Sequence, residues 1–131
     1  MITRIQIPTD DASVVSFQLS ESLGRVEPHG LYALVVFDVA VGTHQVSLAF
    51  ADKDSNFYMA TACEFVATAF PVSVVVGAVP GAGPGKVQPA TALLPLPPVM
   101  QGGDFIVIQG LPAAGATAEI TALQLGIEHE G

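Results

Sequence analysis

The sequence predicts an all-β chain: a single antiparallel two-sheet β-sandwich of about eight short strands. Three observations lead there. Residues 31–41, LYALVVFDVAV, form an apolar run broken only by Asp38 and rich in Val, and β-branched side chains suit a pleated strand better than a helix. Short segments of alternating apolar and polar residues recur, separated by Gly, Pro, Asp and Asn, as strands separated by turns do. No strand–helix–strand rhythm is visible, which argues against a parallel α/β fold. At 131 residues the chain is expected to be one domain, 1–131, with room for one core.

In chain order, residues 2–7 alternate Ile5 and Ile7 with Arg4 and Gln6 and stop at Pro8, the mark of a short edge strand. Val15, Phe17 and Leu19 alternate with Ser16, Gln18 and Ser20, which predicts a half-buried strand. Gly24, Pro28 and Gly30 make residues 21–30 read as a loop. In the 31–41 run both alternating faces are mostly apolar, which predicts a strand covered on both sides. Val46, Leu48 and Phe50 define the next strand, and DKDSN the turn after it.

Residues 57–70 admit two readings. Their Ala content and a capping Ser55 or Asn56 allow a helix. The alternation Phe57, Met59, Thr61, Cys63, Phe65 favours a strand, and the strand is preferred. Val72, Val74 and Val76 mark another. Residues 77–98 read as an extended Gly/Pro-rich loop or arm, because Pro removes donors and Gly raises the cost of ordering. Residues 104–109 and 119–128 supply the last two strands, the latter with Ile120 and Ala122 on one face and Leu123, Leu125 and Ile127 on the other.

Charge narrows the partners. Twelve acidic residues against four Lys and Arg give a formal charge of −8, which disfavours nucleic acid and anionic membrane surfaces. The most apolar stretch, 65–79, holds Pro71 and falls short of the roughly 20 residues a spanning helix needs. No secretion signal is expected from residues 1–11. The single cysteine, Cys63, has no partner for an internal disulfide and suits a reducing compartment. Half the residues are hydrophobic and only 12% charged, with 13 Gly and 10 Pro. So greasy a small chain is expected to cover part of its surface by assembly.

The chemical motifs are weak. PGAGPGK, residues 80–86, has Pro80 and Val87 where a phosphate loop needs Gly and Ser or Thr. DKDSN begins like a calcium loop, but Phe57 and Cys63 stand where Gly and Glu are required. A polar turn is the preferred reading, with a weak cation site at Asp52 and Asp54 left open. His29, His44 and His129 have no metal-ligand spacing and read as solvated or capping. Asp38 is expected to be a structural buried carboxylate, held by backbone donors or by Arg4 or Arg25. No Ser-His-Asp set is visible. No catalytic residue, cofactor or metal is therefore assigned.

Residues 31–65 and 93–127, with the runs GTHQVSLAFADKD and LPLPPVMQGGDFIVIQGL, resemble small immunoglobulin-like or jelly-roll accessory proteins of tailed-phage particles. The resemblance implies a structural role and no site residues. The expected function is a non-enzymatic assembly protein of the virion, such as a capsid decoration, homo-oligomeric and assembled in the host cytoplasm. It would dock through apolar surface and extended arms at 8–13 and 79–98. Interface candidates are Pro80, Pro84, Lys86, Val87, Leu94, Pro95, Leu96 and Pro97. The alternative is a ligand- or carbohydrate-binding sandwich, which Tyr32 and Tyr58 in one cleft with Asp52 and Asp54 would favour.

Overall fold

The structure, a computed structural model, describes residues 2–38, 42–67, 71–80, 85–87 and 91–130, with backbone only at 65–67 and 85–87. These residues form β1 (Thr3–Gln6), β2 (Val14–Gln18), β3 (Arg25–Asp38), β4 (Gly42–Ala51), β5 (Phe57–Ala67), β6 (Val72–Pro80), β7 (Gly85–Val87), β8 (Thr91–Leu96), β9 (Met100–Gln101), β10 (Phe105–Leu111) and β11 (Thr117–His129). A single 3₁₀ turn, Glu21–Leu23, is capped by the Ser20 hydroxyl, which accepts from Ser22 N–H. The first sheet runs β1-β11-β3-β6-β8-β7, with β9 also pairing β3; the second runs β2-β10-β4-β5. The fold is the expected all-β sandwich.

Alternation decides which side chains meet. Leu31, Ala33, Val35 and Phe37 of β3 point inward with Val74 and Val76 of β6 and Leu123, Leu125 and Ile127 of β11. Facing them from the second sheet are Val15, Val46, Leu48, Phe50, Ile106 and Ile108. Burial of these aliphatic and aromatic groups supplies most of the stabilisation.

Several expectations need correction. Residues 25–30 are strand, not loop. Pro28 is tolerated because on one side β9 pairs only Arg25 and Val26 while β6 begins at Leu31, so the missing N–H falls in a gap of the ladder. The 31–38 segment is covered on one face only: Tyr32 is 45% exposed and Leu34 and Val36 are half-buried. Asp38 shares their outward parity and is exposed; it is not a buried carboxylate. Val39, Ala40 and Val41 lie outside the described residues.

In β11 the expected split into two faces does not occur. A bulge between Ile120 and Ala122 shifts the phase, so Ile120 and Leu123 both point inward. Bulges insert one residue and so reset a period of two. The Thr121 hydroxyl, in the bulge, donates to Leu34 C=O at 3.3 Å. Residues 57–67 are strand, pairing β4 in a hairpin. Residues 68–70 lie outside the described residues.

The 77–98 arm is not an arm where it is described. β8 pairs β6 in parallel, and β7 folds back antiparallel on β8, adding one parallel pair to an otherwise antiparallel fold. Pro95 sits past the end of β7, which pairs β8 only from Thr91 to Leu93, so its missing donor costs no bond there. Residues 8–13 are also pinned: Ala12 C=O accepts from Ile120 N–H and Ser13 C=O from Gly110 N–H, each at 2.9 Å.

Candidate functional site

Docking through residues 94–97 is overturned by burial. Leu94 is 0% and Leu96 1% exposed, and Pro95 and Pro97 are also buried, because β8 is roofed by the second sheet and flanked by β6 and β7. They build the chain's own core. Pro80 is exposed at the end of β6. Lys86 and Val87 belong to β7 and their side chains, like the whole of Pro84, lie outside the described residues.

The surface worth considering is instead the outer face of the first sheet. Tyr32, Leu34 and Val36 of β3 stand beside Val75 and Val79 of β6 and Leu93 of β8. Register places Leu34 opposite Val75 and Tyr32 opposite Gly77, which in turn pairs Leu93. Val75 and Val79 are 37% and 41% exposed. An apolar cluster on the wet side of a central strand is unusual for a monomer.

At the β1 end of the same face lies a shallow groove of about 320 Å³. Gly126 pairs Arg4 on one side and Gly30 on the other, so two side-chain-free positions lie next to each other. Tyr32 and Ile2 wall the groove, and Arg4 and Gln124 line it. The Gln124 carbonyl oxygen accepts from the Gln6 amide at 3.1 Å, leaving the Gln124 NH₂ as a donor. Arg4 forms no ion pair among the described residues.

His29 also lines the groove, and Glu27, His29 and Glu128 hold their ligand atoms within 4.8 Å of one another. The sequence could not show this, because Glu128 arrives by the β3–β11 pairing. His29 Nε2 meets Glu128 Oε1 at 3.2 Å, and the Arg25 guanidinium pairs with Glu27. Both side chains of the Arg25–Glu27 pair are about half exposed, and pairs at such a surface are worth little.

The ring of Phe37 packs on His44 with centroids 4.8 Å apart. His44 is 1% exposed, and its Nδ1 accepts from Ala113 N–H at 2.9 Å. It is a capping histidine and not a solvated one. In the β4–β5 turn, Asp52 Oδ1 accepts from Asn56 N–H and Asp54 N–H, both at 2.9 Å. The backbone bond from Asn56 leads in drawing its carboxyl below the ordinary value of 3.8.

The buried carboxylate of this fold is Asp104, 7% exposed. Its Oδ2 accepts from Tyr58 O–H at 2.9 Å and Gln101 N–H at 3.0 Å. A bulge after Phe50, which pairs Met59 while Ala51 pairs Phe57, frees Tyr58 from the ladder and aims it across. Tyr58 is therefore committed to Asp104 on the second sheet, away from Tyr32 on the first, and the cleft that would favour sugar binding does not form.

Burial first, then the bond to Asp104 and the charges of Asp104 and Asp52, push the Tyr58 hydroxyl above its usual 10.0. A raised folded value favours the neutral phenol. The stability it contributes is whole below about pH 10 and is lost as pH climbs through the higher folded value. Ultraviolet titration should find one tyrosine that resists ionisation until well past pH 10. Tyr58→Phe should cost about 1 kcal/mol, low for a bond to a charged acceptor because the ring is nearly half exposed. An unchanged urea midpoint would remove this bond from the list of stabilising contacts.

Comparison with protein families, characterised proteins and solved structures gave no match.

Proposed function

We propose that this is a non-enzymatic assembly protein that docks through the outer face of its first sheet. The observation that carries the reading is the uncovered apolar strip of Tyr32, Leu34, Val36, Val75, Val79 and Leu93 in the middle of that sheet. Covering it removes apolar area from water without altering the fold. β2, VVSFQ, adds a charge-free edge at the end of the second sheet, open to strand pairing. The acidic remainder of the surface keeps the unassembled chain soluble. A place on a symmetric particle such as a phage virion follows from the sequence resemblance and is part of the proposal.

Native mass spectrometry and light scattering over a concentration series test it. The wild-type chain is expected at multiples of 13.5 kDa. Val75→Lys should return it to a folded monomer whose melting temperature no longer depends on concentration, since an exposed outward position tolerates the change. A wild-type chain that stays monomeric at millimolar concentration would overturn self-assembly through this face.

A further inference from the structure

We infer that Glu27 and His29 of β3, with Glu128 of β11, form a binding site for one divalent transition ion of the Zn²⁺ type. Topology makes the set. Glu27 and Glu128 are register partners, whereas His29 has none: Gly126 pairs Gly30 and Ile127 pairs Pro28, so His29 is the extra residue of a bulge. A bulge re-aims a side chain, and here it sets the imidazole against Glu128. His29 Nε2 and Glu128 Oε1 are 3.2 Å apart. Donors bound tetrahedrally to zinc at about 2.0–2.1 Å stand about 3.3 Å from each other, so these two already span one edge of that polyhedron. Glu27 offers a carboxylate oxygen within 4.8 Å of both, and rotation about its side-chain bonds closes the remainder.

Two further observations separate this set from an ordinary surface ion pair. Arg25 engages Glu27 through Oε1 alone. That leaves Oε2 for an ion and holds the carboxylate from behind, as hydrogen bonds from outside the coordination sphere do in metal sites. Beside the set lies a depression of about 180 Å³ lined by Arg25, Glu27, Glu128, His129 and Glu130. The Nδ1 atom of His129 is shut off from water and has no hydrogen-bond partner among the described residues, and buried polar atoms in that condition are rare. Its Nε2 keeps only a 3.4 Å contact with Thr3 Oγ1. The ring therefore has little to lose by turning toward an ion held between Glu27 and Glu128. A net charge of −8 draws any cation to this chain, but an imidazole among carboxylates favours zinc-like ions over Mg²⁺ and Ca²⁺, which take all-oxygen sets. None of these residues belongs to the apolar strip proposed for docking.

The test is a titration of the full chain with Zn²⁺ by calorimetry, and by NMR of the isotope-labelled protein. One ion per chain should bind with Kd of about 100 µM or tighter, shifting the His29 ring signals and the Glu27 and Glu128 amides saturably. Because the three ligands meet only in the folded state, saturating Zn²⁺ should raise the melting temperature by at least about 3 °C, and EDTA should reverse the rise. His29→Ala and Glu128→Gln should each weaken binding about tenfold or more and remove that rise. Both positions are half-exposed or exposed, so the metal-free variants should melt close to wild type. Glu64→Gln, on the exposed face of β5, is the control and should leave Kd unchanged. Ca²⁺ should bind at least about tenfold more weakly than Zn²⁺. Binding weaker than about 100 µM, or indifferent to both ligand substitutions, would mean an adventitious ion only and would overturn the site. So would Ca²⁺ binding as tightly as Zn²⁺.

Discussion

Alanine at Gly102 is expected to destabilise the protein by about 3 kcal/mol or more, a large part of the roughly 5–15 kcal/mol that holds a domain folded. A Cβ there would lie 2.6 Å from Ser20 O and 2.7 Å from Glu21 O. Both are backbone atoms of the 3₁₀ turn and its cap, so no side chain can swing aside. The turn is also tied down: Gly102 N–H donates to Gly24 C=O at 2.7 Å and Gly103 N–H to Leu19 C=O at 2.9 Å. Urea denaturation followed by circular dichroism measures the cost. Gly77→Ala is the control, because its Cβ would meet only Leu93 Cδ1 at 3.8 Å, and it should change stability by less than about 0.5 kcal/mol. Equal midpoints for the two variants would refute the steric account.

The second large effect is expected at Phe37. Phe37→Ala should cost about 3–5 kcal/mol and lower the melting temperature by more than about 10 °C. The ring is fully buried in the core, rests on the buried imidazole of His44, and lies where Gly110 lets the two sheets approach closely. A Cβ on Gly110 would sit 2.9 Å from Ala118 Cβ and 3.5 Å from Phe37 Cζ. Neighbours so tightly held relax little into the vacated space, which places the loss toward the upper end. Calorimetry would measure it directly. A loss below about 1 kcal/mol would mean that the site collapses freely.

What could be read in the chain beforehand was what is local. Alternation at Val15, Phe17 and Leu19, and at Met59, Thr61 and Cys63, reports a strand because the period belongs to the residues themselves. The Pro- and Gly-bearing strands were hidden because their breakers sit in ladder gaps that only the pairing partner creates, as at Pro28 and Pro95. Asp38 reads in sequence as a costly buried carboxylate but is exposed, because apolar neighbours in sequence are not neighbours on a face. Asp104, beside two glycines, gave no sign of burial until the Tyr58 bulge brought its donor. The groove was invisible for a related reason: Gly30 and Gly126 are strangers in sequence and meet only through the β3–β11 register.

That register governs how the protein comes to be made. β11 sits between β1 and β3, so the middle of the first sheet joins positions about a hundred residues apart: Leu31 lies opposite Leu125 and Thr3 opposite Ile127. During synthesis β3 and β6 leave the ribosome long before the strand that completes them. Their apolar inner faces lack that strand through the interval, which favours aggregation of the incomplete chain.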